Sequence, residues 1–251
     1  IDRQDNGEKE KWFSHTLNDC INLPGSMPEK LKGDEVTAKT QWTGSLYDSS
    51  YYYNPYMEKY RKEGNIKFPF FLTPDKHYVG AAWYQKEVNI PADWKGERIL
   101  LFLERPHIET TVWVNGQKTG MQNSLCVPHQ YDITHYVRPG KCTITIRVDN
   151  RIKEINVGPD SHSITDQTQG NWNGIVGRIC LQTTPKTYFD DIQIYPEPEQ
   201  KLARVKVVIK GTGTAKVKLS AESFNTDKKH IVPAIQQEIK LNKGVTETEM
   251  V

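Results

Sequence analysis

The stretch Thr143-Ile144-Thr145-Ile146-Arg147-Val148 alternates strictly between apolar and polar side chains. Successive side chains of a β-strand point to opposite faces, so Ile144, Ile146 and Val148 would share one face. This pattern predicts a strand with one buried face in an antiparallel sheet. A second apolar run, within Glu97–Glu104, is continuous and of strand length, which predicts a strand covered on both faces.

A hairpin is predicted where Thr111-Val112-Trp113-Val114 is followed by Asn115-Gly116 and Gln117-Lys118-Thr119-Gly120. Asn-Gly between two strands is the strongest short hairpin signal, because a type I′ turn needs positive φ at both central residues. The segment Tyr131-Asp132-Ile133-Thr134 predicts a short turn before the Pro139-Gly140 corner. Further strands are predicted at Ala82–Ile90, Gly177–Thr183 and Asp191–Tyr195. Many short strands without long amphipathic helices favour an all-β fold, a β-sandwich of the jelly-roll type.

The composition changes at Tyr195-Pro196-Glu197-Pro198-Glu199-Gln200, where two prolines and several polar residues indicate a linker. We therefore predict a first domain over residues 1–196 and a second over residues 197–251. After the linker, alternating strands are predicted at Ala203–Lys210, Ala215–Phe224, Ala234–Leu241 and Val245–Val251. This length is about half of an immunoglobulin-like sandwich of roughly 100 residues, so we expect the second sandwich to be incomplete.

The first 80 residues are less regular and crowd aromatic residues into loop-like sequence, at Tyr51–Tyr56 and at Phe68–Phe71. One interpretation is a long arm that aromatic side chains anchor to the sandwich. The other is that some of these rings line a sugar-binding cleft. The sequence leaves both open.

Composition excludes several classes of protein. Lys plus Arg is 33 and Asp plus Glu is 31, which gives a net charge of +2, and a nucleic-acid binder needs a larger, clustered positive excess. No apolar run approaches the roughly 20 residues of a membrane span. None of the four cysteines forms a C-x-x-C pair, and Cys142 and Cys180 lie in strand patterns typical of buried thiols.

Catalytic and metal-binding signatures are also missing. The sequence has no G-x-S-x-G, P-loop, H-E-x-x-H or G-x-G-x-x-G pattern. His129 with His135, and His107 with Glu109, are better interpreted as structural hydrogen-bonding groups than as metal ligands. No cofactor or metal is therefore expected.

The segment from Ser161 to Ile175 is the informative one. It is rich in short hydrogen-bonding side chains around Trp172, and it belongs to a loop of about 20 residues between two strands. Ordered loops of that length are usually functional. Carboxylates and amides beside an aromatic face suit a carbohydrate, whose hydroxyls they bind while the ring covers its C–H face. The alternative is a loop that satisfies its own backbone through Asx and Ser/Thr turns.

Eight short segments follow one another between Ala82 and Gly177: Ala82–Pro91, Trp94-Lys95-Gly96, Leu101–Glu104, Val112–Gly116, Tyr131–Thr134, Pro139-Gly140, Ile146–Asn150 and Trp172–Gly177. In this order and approximate spacing they resemble the N-terminal sugar-binding jelly roll, a galactose-binding-domain-like β-sandwich, of glycoside hydrolase family 2, which includes β-galactosidases, β-glucuronidases and β-mannosidases. Residues after Gln200 resemble the start of the family's immunoglobulin-like domain.

The resemblance implies candidate substrate-binding residues. Asn65 stands in an N-x-x-aromatic-Pro segment, in which an Asn reaches the sugar in β-galactosidases. Asp166 is the counterpart of a loop Asp that contacts the sugar. Because the gap from Asp166 to Gly174-Ile175 is two residues longer than in family members, Thr168 or Gln169 could hold that place. Asn171 and Trp172 are further candidates.

In the family, catalysis belongs to a C-terminal (β/α)8 barrel, in which a retaining mechanism uses a glutamate acid/base after an Asn and a glutamate nucleophile. No Asn of this chain is followed by Glu, and no alternating βα pattern follows the sandwich. The resemblance therefore implies a non-catalytic, sugar-binding piece of a retaining β-glycosidase, with a carbohydrate substrate and the barrel as its partners. Export to the periplasm or medium is expected by analogy, and a homo-oligomer is left open. An autonomous lectin-like carbohydrate-binding module is the alternative.

Overall fold

The structure is a computed structural model that describes residues 1–44, 49–69, 73–153, 161–162, 165–166, 168, 170–222 and 229–251. The predicted all-β class is confirmed, since antiparallel strands form the framework of the described residues. The strands are β1 (Gly25–Ser26), β2 (Asp34–Glu35), β3 (Lys76–His77), β4 (Ala81–Ile90), β5 (Arg98–Leu103), β6 (Pro106–His107), β7 (Glu109–Val114), β8 (Gln117–Asn123), β9 (His129–Asp132), β10 (Gly140–Asp149), β11 (Gly174–Ile175), β12 (Ile179–Thr184), β13 (Tyr188–Glu197), β14 (Leu202–Glu222) and β15 (Ile231–Met250). Short 3-10 helices span Trp12–Ser14, Ser49–Tyr52, Pro55–Tyr60, Ala92–Trp94 and Pro198–Gln200.

The chain divides into two compact units. The first contains Ile1–Lys95 and Ile99–Gln182, and the second contains Gly96–Arg98 and Thr183–Val251. The boundary drawn from the sequence between residues 196 and 197 falls inside the second unit, because β13 pairs with β14 along its length. No helix in the described part of the chain is long and apolar enough to cross a membrane.

The first unit is a sandwich built around two sheets. One has the strand order β4-β10-β7-β8 and the other the order β12-β5-β9. Ile144, Ile146 and Val148 share one buried face, as predicted, and they belong to the same core as Ile99 and Leu101 of β5. Alternation in β10 and the continuous apolar run in β5 thus supply the two inner layers of the core.

The opposite face of the four-stranded sheet is buried too. The segment before residue 20 lies over it: the ring of Phe13 stacks on Trp113 with centroids 5.1 Å apart, and Trp12 lies 6.0 Å from Trp83. The carboxylate of Asp2 accepts a hydrogen bond from the Trp83 indole at 2.9 Å. Trp12 and Phe13, which the sequence analysis did not single out, thus anchor the start of the arm to this sheet.

A buried ion-pair network lies on the same covered face. Arg147 of β10 contacts the carboxylates of Asp149 at 3.0 Å and Asp5 at 2.7 Å. Arg151 and Lys153 contact the fully buried Asp149 at 2.6 and 2.8 Å. A charged residue can occupy this strand position because opposite charges of the arm and of β10 compensate its burial.

Described residues between 41 and 77 also pack through aromatic side chains. Tyr51 and Phe68 are buried and stacked, with ring centroids 4.6 Å apart, and Trp42 contacts Phe68 at 4.8 Å and His77 at 4.7 Å. Tyr52, Tyr53 and Tyr56 instead face solvent, and Phe70 and Phe71 lie outside the described residues. The crowded aromatic segment thus contains both anchors and exposed rings.

The second unit contains the antiparallel sheet β13-β14-β15, which supplies strands of the expected immunoglobulin-like sandwich. The pairs of strands predicted on either side of Gly211–Thr214 and of Asn242–Gly244 are instead single long strands, β14 and β15. The pairing shifts register between Gly211 and Gly213, which indicates a β-bulge in place of a turn. Residues from both sides of the bulge share one core, formed by Val205, Val207, Ile209, Val217, Ile239, Leu241 and Met250.

Three smaller predictions also have outcomes. Residues 129–132 are strand β9, paired with β5, and not the start of a turn; the turn begins at Asp132, whose carboxylate accepts from the N–H of Thr134 at 3.1 Å. The linker sequence around Pro198 forms the connection between β13 and β14. Cys142 is buried as predicted, whereas Cys180 is half-buried.

Candidate functional site

Asp166 lies at the centre of the polar loop between β10 and β11, and it is buried. Its carboxylate accepts hydrogen bonds from the backbone N–H of Asn171 and from that of Thr43, each at 2.6 Å. Burial raises the pKa of Asp166 above its usual value, although both N–H groups and the nearby His77 favour the charged form. The carboxylate thus holds the loop against the arm.

Asn171 is the neighbour of Asp166 in this cluster. Its side-chain amide donates to the Thr43 hydroxyl at 2.9 Å and to the backbone carbonyl of Asn150 at 3.1 Å. Its carbonyl oxygen, Oδ1, is buried and has no hydrogen-bond donor in the described part of the chain. A buried acceptor left without a donor costs about 1–3 kcal/mol, so Oδ1 calls for a donor from outside the described residues, such as a water or a bound molecule.

Trp172 is half-buried, and its indole stacks on the ring of His107 with centroids 4.5 Å apart and planes 23° apart. The Trp172 carbonyl accepts from Nδ1 of His107 at 2.7 Å, so this nitrogen carries the proton. Burial lowers the pKa of His107, which favours the neutral ring. The histidine therefore acts as a fixed support for the tryptophan.

Asn173 was missed by the sequence analysis, yet it fixes the end of the loop. It is fully buried; its amide donates to the carbonyls of Gly80 and Val148 at 2.9 Å each, and its carbonyl accepts from the Tyr84 hydroxyl at 2.7 Å. Asn150 plays a similar part, bridging the backbone of Gly80 and that of Tyr78 at 2.8 Å each. The clustering of Asn residues around Trp172 is the only sequence signal for this role.

The remaining predicted site residues fall elsewhere. Asn65 is exposed on the turn after the 3-10 helix Pro55–Tyr60, and its amide donates to the Lys59 carbonyl at 2.8 Å. None of its described hydrogen bonds joins it to Asp166. Gln169 lies outside the described residues. Thr168 is exposed and bonds within its own loop, to the carbonyls of His162 at 2.5 Å and Thr165 at 3.3 Å.

The structure thus brings together Asp166 and Asn171 beside Thr43 of the arm, whereas the indole of the next residue, Trp172, stacks on His107. The two side chains offer a carboxylate and an amide oxygen, groups that can accept hydrogen bonds from hydroxyls. Described residues of the loop also bond to one another, as the alternative interpretation expected: the N–H groups of Thr165 and Thr168 donate to the carbonyls of Ser161 and Thr165. The described residues contain no group of His, Cys, Asp or Glu side chains arranged to hold a metal ion.

Comparison with known proteins identifies the family. Residues 32–185 match the model of the glycosyl hydrolases family 2 sugar binding domain. Human β-glucuronidase is 28% identical over 176 residues, which is 61% of this chain and 27% of that protein. A β-galactosidase of Thermoanaerobacter pseudethanolicus is 24% identical over 197 residues, or 72% of this chain and 26% of that protein. The chain spans about a quarter of the length of these relatives.

Solved structures share the fold. The β-glucuronidase of Ruminococcus gnavus aligns with 98% of this chain and 36% of its own, with a TM-score of 0.59 and 18% identity. A glycosyl hydrolase family 2 member from Bacteroides cellulosilyticus aligns with 94% of this chain and 27% of its own, with a TM-score of 0.57 and 19% identity. With the family model matching more than half of its length, the chain belongs to glycosyl hydrolase family 2 and carries the sugar-binding domain of that family.

Proposed function

We propose that this chain is a non-catalytic, sugar-binding part of a retaining β-glycosidase, β-glucuronidase-like or β-galactosidase-like, that removes terminal β-linked sugars from oligo- or polysaccharides. Membership of the family and the names of the relatives support the class of reaction. The absence of any Asn-Glu pair from the sequence supports the placement of catalysis elsewhere in the polypeptide. Two carboxyl groups about 5–5.5 Å apart would carry out the retaining reaction there.

The observation that carries the proposed sugar site is the buried Oδ1 of Asn171 next to Asp166, which has no donor among the described residues. An ionised carboxylate has about four lone-pair positions, and backbone N–H groups use two of those on Asp166, so it can still accept from a sugar hydroxyl. The two N–H groups also hold the carboxylate in place before the sugar arrives, which lowers the cost of binding. Trp172 would cover the apolar face of the same sugar.

Kinetics of the intact enzyme test this proposal. Asp166→Asn and Asn171→Leu should each raise KM for a 4-nitrophenyl β-glycoside at least about tenfold, equivalent to about 1.4 kcal/mol. Asp93→Asn, at an exposed carboxylate, is the matched control and should leave KM unchanged. Unchanged KM in both site variants would remove the site, and turnover by the 251-residue chain alone would contradict its non-catalytic role.

A further inference from the structure

An exposed group of tyrosines on the arm has no part in the site described above. Tyr52, Tyr53 and Tyr56, here called the tyrosine ridge, are 50%, 72% and 86% exposed. Tyrosine is a residue that proteins bury or use at interfaces, since its ring offers a large contact area with few rotatable bonds. Three neighbouring exposed rings on one short segment therefore point to a binding surface.

The backbone beneath the ridge is fixed. Asn54 caps the 3-10 helix Pro55–Tyr60 by accepting from the N–H of Tyr56 at 3.0 Å. Tyr51 is fully buried, its hydroxyl donates to the Tyr60 carbonyl at 3.0 Å, and the guanidinium of Arg61 donates to the Tyr51 carbonyl. The exposed rings thus stand on a rigid base, which reduces the entropy lost when a ligand binds.

Positive charge lies beside the ridge. Residues three apart in a 3-10 helix are eclipsed, so Tyr56 and Lys59 lie on the same side. The Lys59 ammonium is 4.9 Å from the Tyr60 ring centroid. Lys67 is exposed, and its backbone N–H, which donates to the Tyr60 carbonyl at 3.0 Å, places this second lysine next to the same helix. Within the described ranges, neither Lys59 nor Lys67 has a carboxylate in ion-pair distance, whereas the neighbouring Lys62 pairs with Glu58 at 3.2 Å.

We propose that the tyrosine ridge, with Lys59 and Lys67, binds an acidic glycan chain that contains uronate units. The rings would stack on the apolar C–H faces of successive sugars, and the two ammonium groups would pair with uronate carboxylates. The carbohydrate class rests on the function proposed above, while the acidic character rests on the unpaired lysines. This surface would hold units of a polymeric substrate separately from the loop that contains Asp166.

Binding by the 251-residue chain tests the proposal, with an oligogalacturonate as the acidic probe and a cello-oligosaccharide of equal length as the neutral probe. Calorimetric titration should show that the neutral probe binds at least about tenfold more weakly. The double variant Tyr53→Ala, Tyr56→Ala should weaken oligogalacturonate binding at least about tenfold, and Tyr53→Phe, Tyr56→Phe should retain it. Lys59→Gln should reduce the preference for the acidic probe and leave binding of the neutral probe unchanged.

Matched controls are available elsewhere on the surface. Tyr195→Ala, at a half-exposed tyrosine of the second unit, and Lys9→Gln, at an exposed lysine of the arm, should leave binding unchanged. Wild-type chain that fails to bind oligogalacturonate, or a double alanine variant that binds it as wild type does, would overturn the proposal. So would equal affinity for the two probes.

The two proposals fail in different ways. Oligogalacturonate binding by the tyrosine variants of the 251-residue chain tests the ridge, whereas KM of Asp166→Asn and Asn171→Leu in the intact enzyme tests the loop site. Loss of binding in Asp166→Asn together with retention in the tyrosine variants would overturn the ridge and leave the loop site standing. Loss of binding in the tyrosine variants alone supports the ridge, whatever the kinetics of Asp166→Asn in the intact enzyme show.

Discussion

Asp166 and Thr43 bind each other in both directions: the N–H of Thr43 donates to the Asp166 carboxylate at 2.6 Å, and the N–H of Asp166 donates to the Thr43 carbonyl at 3.2 Å. The two residues are 123 positions apart in the sequence. The arm therefore completes the polar loop, and the candidate site cannot form from the loop sequence alone.

Replacing Asp166 by alanine should destabilise the chain by about 2–4 kcal/mol, since two backbone N–H groups lose a charged acceptor. Urea unfolding at neutral pH measures the loss. Asp93→Ala, at an exposed carboxylate, should change the free energy of unfolding by less than about 0.5 kcal/mol. If Asp166→Ala is no less stable than this control, the carboxylate does not hold the loop to the arm.

Stability should fall when the pH drops below about 6.5, because His129 is buried in its neutral form. Its Nε2 lies 3.2 Å from the Ser124 carbonyl and donates to it, so Nδ1 is left to accept from the Thr110 hydroxyl at 2.6 Å. Burial lowers the pKa of His129, and the unfolded state therefore binds the proton more tightly. The stabilisation that neutral His129 provides is therefore complete above the pKa of this histidine in the unfolded state. It is lost as the pH falls toward its lower pKa in the folded state.

The comparison that isolates this effect is the pH dependence of urea unfolding between pH 7.5 and about 5. His129→Asn should be less stable than wild type at pH 7.5 but should show a shallower fall on acidification. His135→Asn, at an exposed histidine on the following turn, should keep the wild-type slope. Equal slopes in wild type and His129→Asn would show that His129 is not the titrating group.

Asp149→Asn should cost about 3 kcal/mol or more, because it leaves the three cations Arg147, Arg151 and Lys153 with only the carboxylates of Asp5 and Glu109 as partners. The three cations around Asp149 hold its pKa far below the usual range despite burial, so this stabilisation persists at mildly acidic pH and is lost only as the pH falls below about 4. Glu87→Gln removes an exposed pair with Lys141 and should cost less than about 1 kcal/mol. Similar losses in the two variants, measured by denaturant unfolding, would contradict a buried network.

The sequence predicts those parts of the fold that depend on residues close together in the chain. The alternation of Ile144, Ile146 and Val148 with polar residues predicts that these three side chains are buried, and their place in the core confirms this prediction. By the same rule, Thr145 and Arg147 on the other face should be exposed to solvent, yet both are buried. The N-terminal segment around Asp5 covers them, and it lies more than a hundred residues earlier in the sequence. Pattern reasoning has no access to such a distant partner.

The site shows the same limit. Resemblance directed attention to Asp166 and Asn171, which the structure places together, and to Asn65, which lies on an exposed turn. Asn173 and Asn150 were missed because an amide that bonds to distant backbone looks, in sequence, like any loop asparagine. Likewise, the glycines near Gly211 are compatible with a turn or with a β-bulge, and only the pairing of β14 with β15 distinguishes the two.

Gly174→Ala should disrupt the candidate site without touching any of its polar groups. Gly174 has a φ of +148°, a backbone conformation that residues other than glycine rarely adopt. A Cβ at this position would also overlap the carbonyl oxygen of Gly25 on the paired strand β1. Gly96, at a φ of +90° with open space around it, provides the matched control, since Gly96→Ala adds backbone strain alone. We expect about 1–2 kcal/mol of destabilisation for Gly96→Ala and at least about 3 kcal/mol for Gly174→Ala. Because β11 directly follows Trp172 and Asn173, Gly174→Ala should also raise KM of the intact enzyme, whereas Gly96→Ala should not. If the two variants change the free energy of unfolding and KM equally, close packing of β11 on β1 does not position the loop.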